Sequence, residues 1–309
     1  MRYYVLVMKC NLCPRGCNVY RSGKTGFCKT DNITVSRISK HMWEEPCISG
    51  DRGSGTVFFA GCNLHCRFCQ NYDISVVPHG AELTEERLAD VMLYLQDLNV
   101  ANVNLVTPSH FADKIAKSIA LVKHRLHIPV VYNTGSYEKV EVLRTLEGLV
   151  DVYLPDLKFY GKSVSRKYAS AEDYFDVAAQ AILEMRRQQP INVFDAEGYI
   201  KHGVIVRHLV LPANTEDSKR IMDWIANTDK SLYVSVMCQY FAARRDDKYP
   251  ELNRTLYRRE YQNVLDYFEN LGLYNGYCQD YSSATRDYLP DFNEAELNKL
   301  LNDIPHYTM

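Results

Sequence analysis

Residues 56–71 read TVFFAGCNLHCRFCQN, a β-rich run that turns at Gly61 into a loop carrying Cys62, Cys66 and Cys69 in CxxxCxxC spacing. Thiols placed directly after a strand put metal chemistry at that strand's carboxyl end, where βα barrels carry their sites. The same kind of run recurs outward from this one, at NVNLVT (102–107), PVVYN (129–133), VDVYLP (150–155), VIVRHLVL (204–211) and SLYVSV (231–236), with amphipathic stretches between. With TVFFA (56–60), the six runs predict an α/β fold: a partial (β/α)6 barrel of parallel strands joined by right-handed crossovers. Helices are expected over 111–125, 138–146, 172–189, 217–226 and 254–271, and over a further stretch capped by Thr84 in which Leu88, Val91, Met92 and Leu95 recur at helical spacing.

The 309 residues suit one such barrel with appendages better than two independent domains. Residues 1–55, rich in Cys, Gly and turn formers, read as a Cys-rich metal-binding module, 56–280 as the barrel, and 281–309 as a tail packing on it. Apolar residues at 46% and charged residues at 24% are an ordinary globular mix, which excludes collagen-like, disordered and coiled-coil chains. A net charge of −2 offers no general attraction to nucleic acid or to an anionic membrane, and the 23 tyrosines lack the spacing of a base-stacking platform. The apolar opening Tyr3–Met8 is too short to span a bilayer and carries no signal-peptide pattern, so a cytoplasmic protein is expected. The pairs Arg186-Arg187, Arg244-Arg245 and Arg258-Arg259 read as solvated faces.

Seven of the ten cysteines fall in two groups: Cys10, Cys13, Cys17 and Cys28, then Cys62, Cys66 and Cys69. A long chain that builds its own core has no need of a disulfide framework, so grouped thiols point to metal. Three thiolates are one too few for a [4Fe-4S] cube, which leaves one iron open to another ligand. The competing reading is a closed zinc site completed by His65 or a remote side chain. The four N-terminal thiols suffice for a zinc ion or a second [4Fe-4S] cluster, and their spacing leaves the two open. Cys47, Cys238 and Cys278 stand alone and are expected to be small buried residues. His41–Pro46 (HMWEEP) reads either as a helical turn with a carboxylate-bearing patch or, more simply, as a stretch packed against the barrel.

CxxxCxxC with the aromatic Phe68 before its last cysteine resembles the radical S-adenosylmethionine (SAM) superfamily. CNLCPRGC, EEP, GSGTVFFAGCNLHCRFCQNYDIS, NLVTPSHF, YNTGSY, DVYLPDLKFY, KYASAEDY, VIVRHLVLP and QYF resemble a branch similar to pyruvate formate-lyase activating enzyme. The resemblance implies a [4Fe-4S] cluster on Cys62, Cys66 and Cys69 whose open iron chelates SAM. It implies reductive cleavage to a 5′-deoxyadenosyl radical, with a low-potential donor of flavodoxin or ferredoxin type supplying the electron.

The cofactor contacts it suggests are Phe68, Thr107, Asn133, Thr134, Asp156 and Lys158. Activating enzymes place a glycine-glycine-glutamate run after the second strand; this chain reads Thr107-Pro108-Ser109, leaving Thr107 as the candidate ammonium acceptor. Within VIVRHLVLP, one of Arg207 and His208 must face the lumen and the other the helices. His208 is the candidate cofactor contact, against the alternative of a buried histidine satisfied by a neighbour, and Arg207 is a similar case. By the resemblance, the radical's target is a glycine of a partner glycyl-radical enzyme. The alternatives are modification of a peptide or small molecule, or a non-catalytic iron-sulfur or zinc protein.

Overall fold

The computed structural model describes residues 9–281 and 290–308. The apolar opening Tyr3–Met8 and part of the 281–309 tail lie outside those residues. Among them are ten strands: β1 (Thr34–His41), β2 (Ser54–Phe59), β3 (Ala81–Glu82), β4 (Val103–Val106), β5 (Val130–Thr134), β6 (Val152–Pro155), β7 (Val193–Phe194), β8 (Ile200–Leu209), β9 (Tyr233–Met237) and β10 (Gly276–Cys278). The same described residues form nine α-helices: α1 (Tyr72–Ser75), α2 (Glu85–Asp97), α3 (Ala112–Val122), α4 (Val140–Leu143), α5 (Lys162–Ala169), α6 (Tyr174–Gln188), α7 (Thr215–Thr228), α8 (Arg258–Asn270) and α9 (Glu294–Asp303).

The strand order is β10-β9-β8-β6-β5-β4-β2-β1-β3, with β7 paired to β8 off that path. All pairs from β2 to β10 along the path are parallel, whereas β1 lies antiparallel to β2 and closes nothing. The fold is therefore an open, mostly parallel sheet, the partial α/β barrel that the six runs predict. β2, β5 and β6 are buried along their whole length, because helices cover one face and the barrel interior the other. Among the described residues, no helix is long and apolar enough to cross a membrane.

Local chemistry sets the helix ends. Thr84 accepts the backbone N–H of Arg87 at 3.1 Å and starts α2 as expected. The helix expected at Arg254 starts four residues later, because Glu260 reaches back to the Tyr257 N–H (2.9 Å) while its two oxygens take both ends of the Arg254 guanidinium (2.7 Å each). The stretch 138–146 breaks into α4 and a 3₁₀ turn over Arg144–Leu146. Its first residue, Glu138, is held instead by the hydroxyls of Ser109 (2.5 Å) and Thr134 (2.6 Å). Seven elements were not expected from the sequence: β1, β3, β7, β10, α1, α5 and α9. The helical-turn reading of His41–Pro46 is corrected: His41 ends β1 and the next residues are irregular, their shape set by the contacts of Glu44 across the barrel.

Candidate functional site

At the carboxyl ends of β2, β4, β5, β6 and β8 an open cavity of about 230 Å³ is lined by Cys62, Cys66, Cys69, Phe68, Thr107, Asn133, Thr134, Asp156, Lys158 and Arg207, among others. Gly61 makes the turn into it: φ is +80°, and a Cβ there would stand 2.4 Å from the Cys28 carbonyl oxygen, so only glycine fits between the two cysteine groups. The loop is then fastened from below. Phe68 packs against Phe159, Tyr168 and Tyr240 with ring centroids 5.9, 6.4 and 6.3 Å away, and the Arg67 N–H donates to the Tyr168 carbonyl at 2.9 Å.

The N-terminal residues hold the loop's other side. Arg15 donates to the Asn63 carbonyl at 2.8 Å, and Phe27 stacks on His65 at 4.4 Å. His65 thus faces the N-terminal segment and is not among the residues lining the cavity, which removes the nearest candidate for a fourth ligand.

The donor set fits a cluster. The Leu64 N–H points at Cys62 Sγ (3.3 Å) and the Ser75 hydroxyl at Cys69 Sγ (3.4 Å), the donors that steady a metal-bound thiolate. Burial pushes all three thiols up, so each needs a cation to ionise. Among the described residues no three His, Cys, Asp or Glu side chains converge as for a single ion, but a four-iron cube takes each thiolate at a separate corner.

Beneath the thiols lies a line of alternating charges. Arg207 donates from Nε to Asp156 (2.8 Å), from Nη1 to Glu44 (3.0 Å) and from Nη2 to the Asn133 side-chain oxygen (2.6 Å); Lys158 Nζ pairs with the other Asp156 oxygen. Glu44 also accepts from Asn104 (3.1 Å) and Asn133 (3.3 Å). Burial pushes Asp156 up, but Arg207 and Lys158 outweigh it and hold the carboxyl below its ordinary value. Burial likewise lowers Lys158, and Asp156 with Cys66 more than restores it, so the ammonium stays charged. The site therefore presents a fixed cation and a fixed carboxylate beside the three thiols.

The residue family whose sequence model matches here is described as the radical SAM superfamily, over residues 56–225. The chain belongs to the radical SAM superfamily. The uncharacterized protein MJ0674 of Methanocaldococcus jannaschii is 31% identical over 274 residues, covering 85% of this chain and 75% of that one. Among solved structures, Streptococcus suis SuiB, crystallised bound to precursor peptide SuiA, is similar with a TM-score of 0.48 at 13% identity, over 71% of this chain. The match spans 46% of that protein's length.

Within this radical SAM site the expected residues divide. Phe68, Thr107, Asp156 and Lys158 line the cavity. Thr107, directly after β4, has φ +63°, a conformation a β-branched residue adopts only under constraint, and such outliers concentrate at working sites. Asn133 and Thr134 also line it, but both ends of the Asn133 amide are engaged by Arg207 and Glu44, and the Thr134 hydroxyl donates to Glu138.

His208 is a correction. Strand alternation turns Arg207 to the cavity and His208 to the helices, where its Nδ1 meets the Leu157 carbonyl (2.7 Å) and its Nε2 the Ser218 hydroxyl (2.8 Å). A carbonyl only accepts, so Nδ1 carries a proton. Cys278 is also corrected: it is exposed at the short edge strand β10, whereas Cys47 and Cys238 are buried as expected. Arg207, Glu44 and Asn104 complete the charged floor; an arginine inside an apolar strand and the EEP run were the signals for the first two.

Burial lowers His208 from 6.5 to about 4. The unfolded chain therefore binds a proton that the folded one refuses; this stabilisation is complete above pH 6.5 and is lost as pH falls toward 4. Lowering the pH from 7 to 4.5 is expected to cost the wild type ~2–3 kcal/mol more than it costs His208→Gln, read from urea midpoints. Parallel pH profiles of the two proteins would show that the ring does not titrate between them.

The four N-terminal thiols, Cys10, Cys13, Cys17 and Cys28, line one small cavity together with Arg21 and His110. Burial pushes Cys13 up to about 12. The Phe27 N–H donates to Cys17 Sγ at 3.3 Å, and the Thr30 hydroxyl lies 3.7 Å from Cys28 Sγ.

Proposed function

We propose that this protein is an enzyme that cleaves SAM reductively and uses the resulting radical to abstract hydrogen. The observation that carries this reading is the convergence of Cys62, Cys66 and Cys69 on one cavity mouth above the Asp156–Lys158 pair, with no fourth cysteine in its lining. When bound, a [4Fe-4S] cluster with SAM supplies one-electron cleavage of a sulfonium C–S bond: the electron comes from a low-potential flavodoxin- or ferredoxin-type donor, and the products are methionine and the 5′-deoxyadenosyl radical.

The chain's own residues orient and exclude. Lys158 offers its ammonium to the cofactor carboxylate, fixed in place by Asp156. Thr107 presents its hydroxyl and carbonyl to the cofactor amine, standing where activating enzymes carry a glycine-glycine-glutamate run. Phe68 and its aromatic neighbours keep water from the underside of the loop. Asn133 holds Glu44 and Arg207 in register, and Thr134 contributes to the wall.

Hydrogen abstraction from the substrate by that radical would give 5′-deoxyadenosine and a substrate radical. By resemblance to activating enzymes, a backbone glycine of a partner enzyme is one target class; a peptide or small molecule is the other. The N-terminal thiols are read as a separate closed centre holding zinc or a second [4Fe-4S] cluster, and the protein as cytoplasmic. The test is direct: anaerobically reconstituted protein with dithionite and SAM is expected to yield 5′-deoxyadenosine. An intact cluster with no product overturns the reading.

A further inference from the structure

One buried carboxyl, that of Glu138, locks together the turns by which the chain leaves β4 and β5. Its Oε1 accepts the Ser109 hydroxyl at 2.5 Å and the Thr134 hydroxyl at 2.6 Å, and those two hydroxyl oxygens lie 3.1 Å apart. Ser109, Thr134 and Glu138 are each no more than 2% exposed. Thr134 lines the thiol cavity, as does Thr107, two residues before Ser109. Ser109 and Glu138 stand outside that lining, so neither is placed to touch a molecule held in the cavity.

Thr107 is the residue whose position needs support. Its left-handed backbone, φ +63°, is one that a β-branched residue keeps only where its surroundings dictate it. Three anchors hold the turn. The Thr107 N–H donates to the Asn133 carbonyl at 2.8 Å, His110 Nε2 meets the Ala60 carbonyl at 2.8 Å, and Ser109 is fixed by Glu138. The first two end on backbone carbonyls, which every sequence offers at those positions. The third needs an oxygen acceptor in the side chain at position 138. An apolar residue there would take from two buried hydroxyls the acceptor they share, a costly loss in a site closed to water.

A buried polar network whose members are paired holds a single geometry, and the geometry held here is that of the Thr107 turn against the end of β5. We propose that Glu138 is a positioning residue for the amino-acid end of the cofactor: acting through Ser109, it sets where the Thr107 hydroxyl and carbonyl stand, without itself touching the cofactor. The inference rests on the radical reading above and deepens it.

The test titrates full-length protein, with its cluster reconstituted, by anaerobic isothermal calorimetry. The probes are S-adenosylhomocysteine, which carries the amino-acid end, and 5′-methylthioadenosine, which lacks it. Wild type is expected to prefer the first. Ser109→Ala and Glu138→Ala are each expected to lose about fivefold or more of that preference, all of it from weaker S-adenosylhomocysteine binding. Glu138→Gln, whose amide oxygen still accepts both hydroxyls, is expected to keep it. Equal weakening of both ligands by Ser109→Ala would make the network merely structural and overturn the proposal; so would an unchanged preference, or a loss in Glu138→Gln as large as in Glu138→Ala. Ser109→Ala removes a single oxygen atom, so it decides the question even if Glu138→Ala fails to fold. Wild type that makes 5′-deoxyadenosine while Ser109→Ala keeps the full preference overturns the positioning role alone. Wild type with an intact cluster that makes none overturns the radical reading, whatever the two ligands do.

Discussion

Replacing Cys62, Cys66 and Cys69 together by alanine is expected to abolish 5′-deoxyadenosine formation, a loss on the order of 10³-fold or more, or at least ~4 kcal/mol of barrier. The fold should survive. The thiols lie at the carboxyl end of the strands, at a loop held by the Phe68 cluster, the Arg67–Tyr168 backbone bond and Arg15, none of which involves a sulfur. Far-ultraviolet circular dichroism should therefore match the wild type while metal content changes. Iron and sulfide should disappear if the N-terminal thiols hold zinc, with about one zinc per chain retained. About half the iron should remain if they hold a second cube. A triple variant that still cleaves SAM would move the chemistry away from this loop.

Arg207→Leu is expected to cost about 3–5 kcal/mol of stability, because it leaves Glu44, and one side of Asp156, buried without their cation. The effect should greatly exceed that of an exposed pair such as Arg245–Asp247, worth at most ~1 kcal/mol. Arg207→Lys should recover only part, since a single ammonium cannot span Asp156, Glu44 and Asn133 from one stem. Adding Glu44→Gln to Arg207→Leu should restore some of the loss, as contacting residues couple. Urea unfolding of the wild type, Arg207→Leu, Glu44→Gln and the double variant measures this cycle. A loss below about 1 kcal/mol for Arg207→Leu would mean that water reaches the floor and screens it.

The floor and the thiol loop make one device. Arg207 and Asp156 also meet through the backbone, where the Leu157 N–H donates to the Arg207 carbonyl at 2.8 Å, so side-chain pairing and strand pairing reinforce each other at the β6–β8 junction. Lys158, two residues further on, inherits its position from that junction. The charges are therefore placed before any cofactor arrives, and little reorganisation is needed on binding.

What was legible in the sequence follows from the range of the interactions involved. The six parallel strands announced themselves because strands buried on both faces must be apolar throughout, and VFF, VVY and VYL are. The three thiols were legible because a short loop keeps its ligands adjacent in the chain. β1 escaped notice because TVSRISKH has polar residues on the face it shares with the tail and too few apolar ones for a clear period. The choice between Arg207 and His208 could not be made from composition: a one-residue change of phase exchanges their faces, and the phase is set by pairing with β6 and β9, strands that lie 51 and 28 residues away along the register Asp156–Arg207 and Arg207–Ser235.

Local chemistry along the chain was thus enough to establish an α/β barrel and a thiol loop at the end of its first parallel strand, since periodicity and ligand spacing are properties of neighbours in sequence. Folding alone settled which charges meet: Glu44, Asn133, Asp156 and Arg207 come from four separate segments, and their pairing depends on sheet order and side-chain phase.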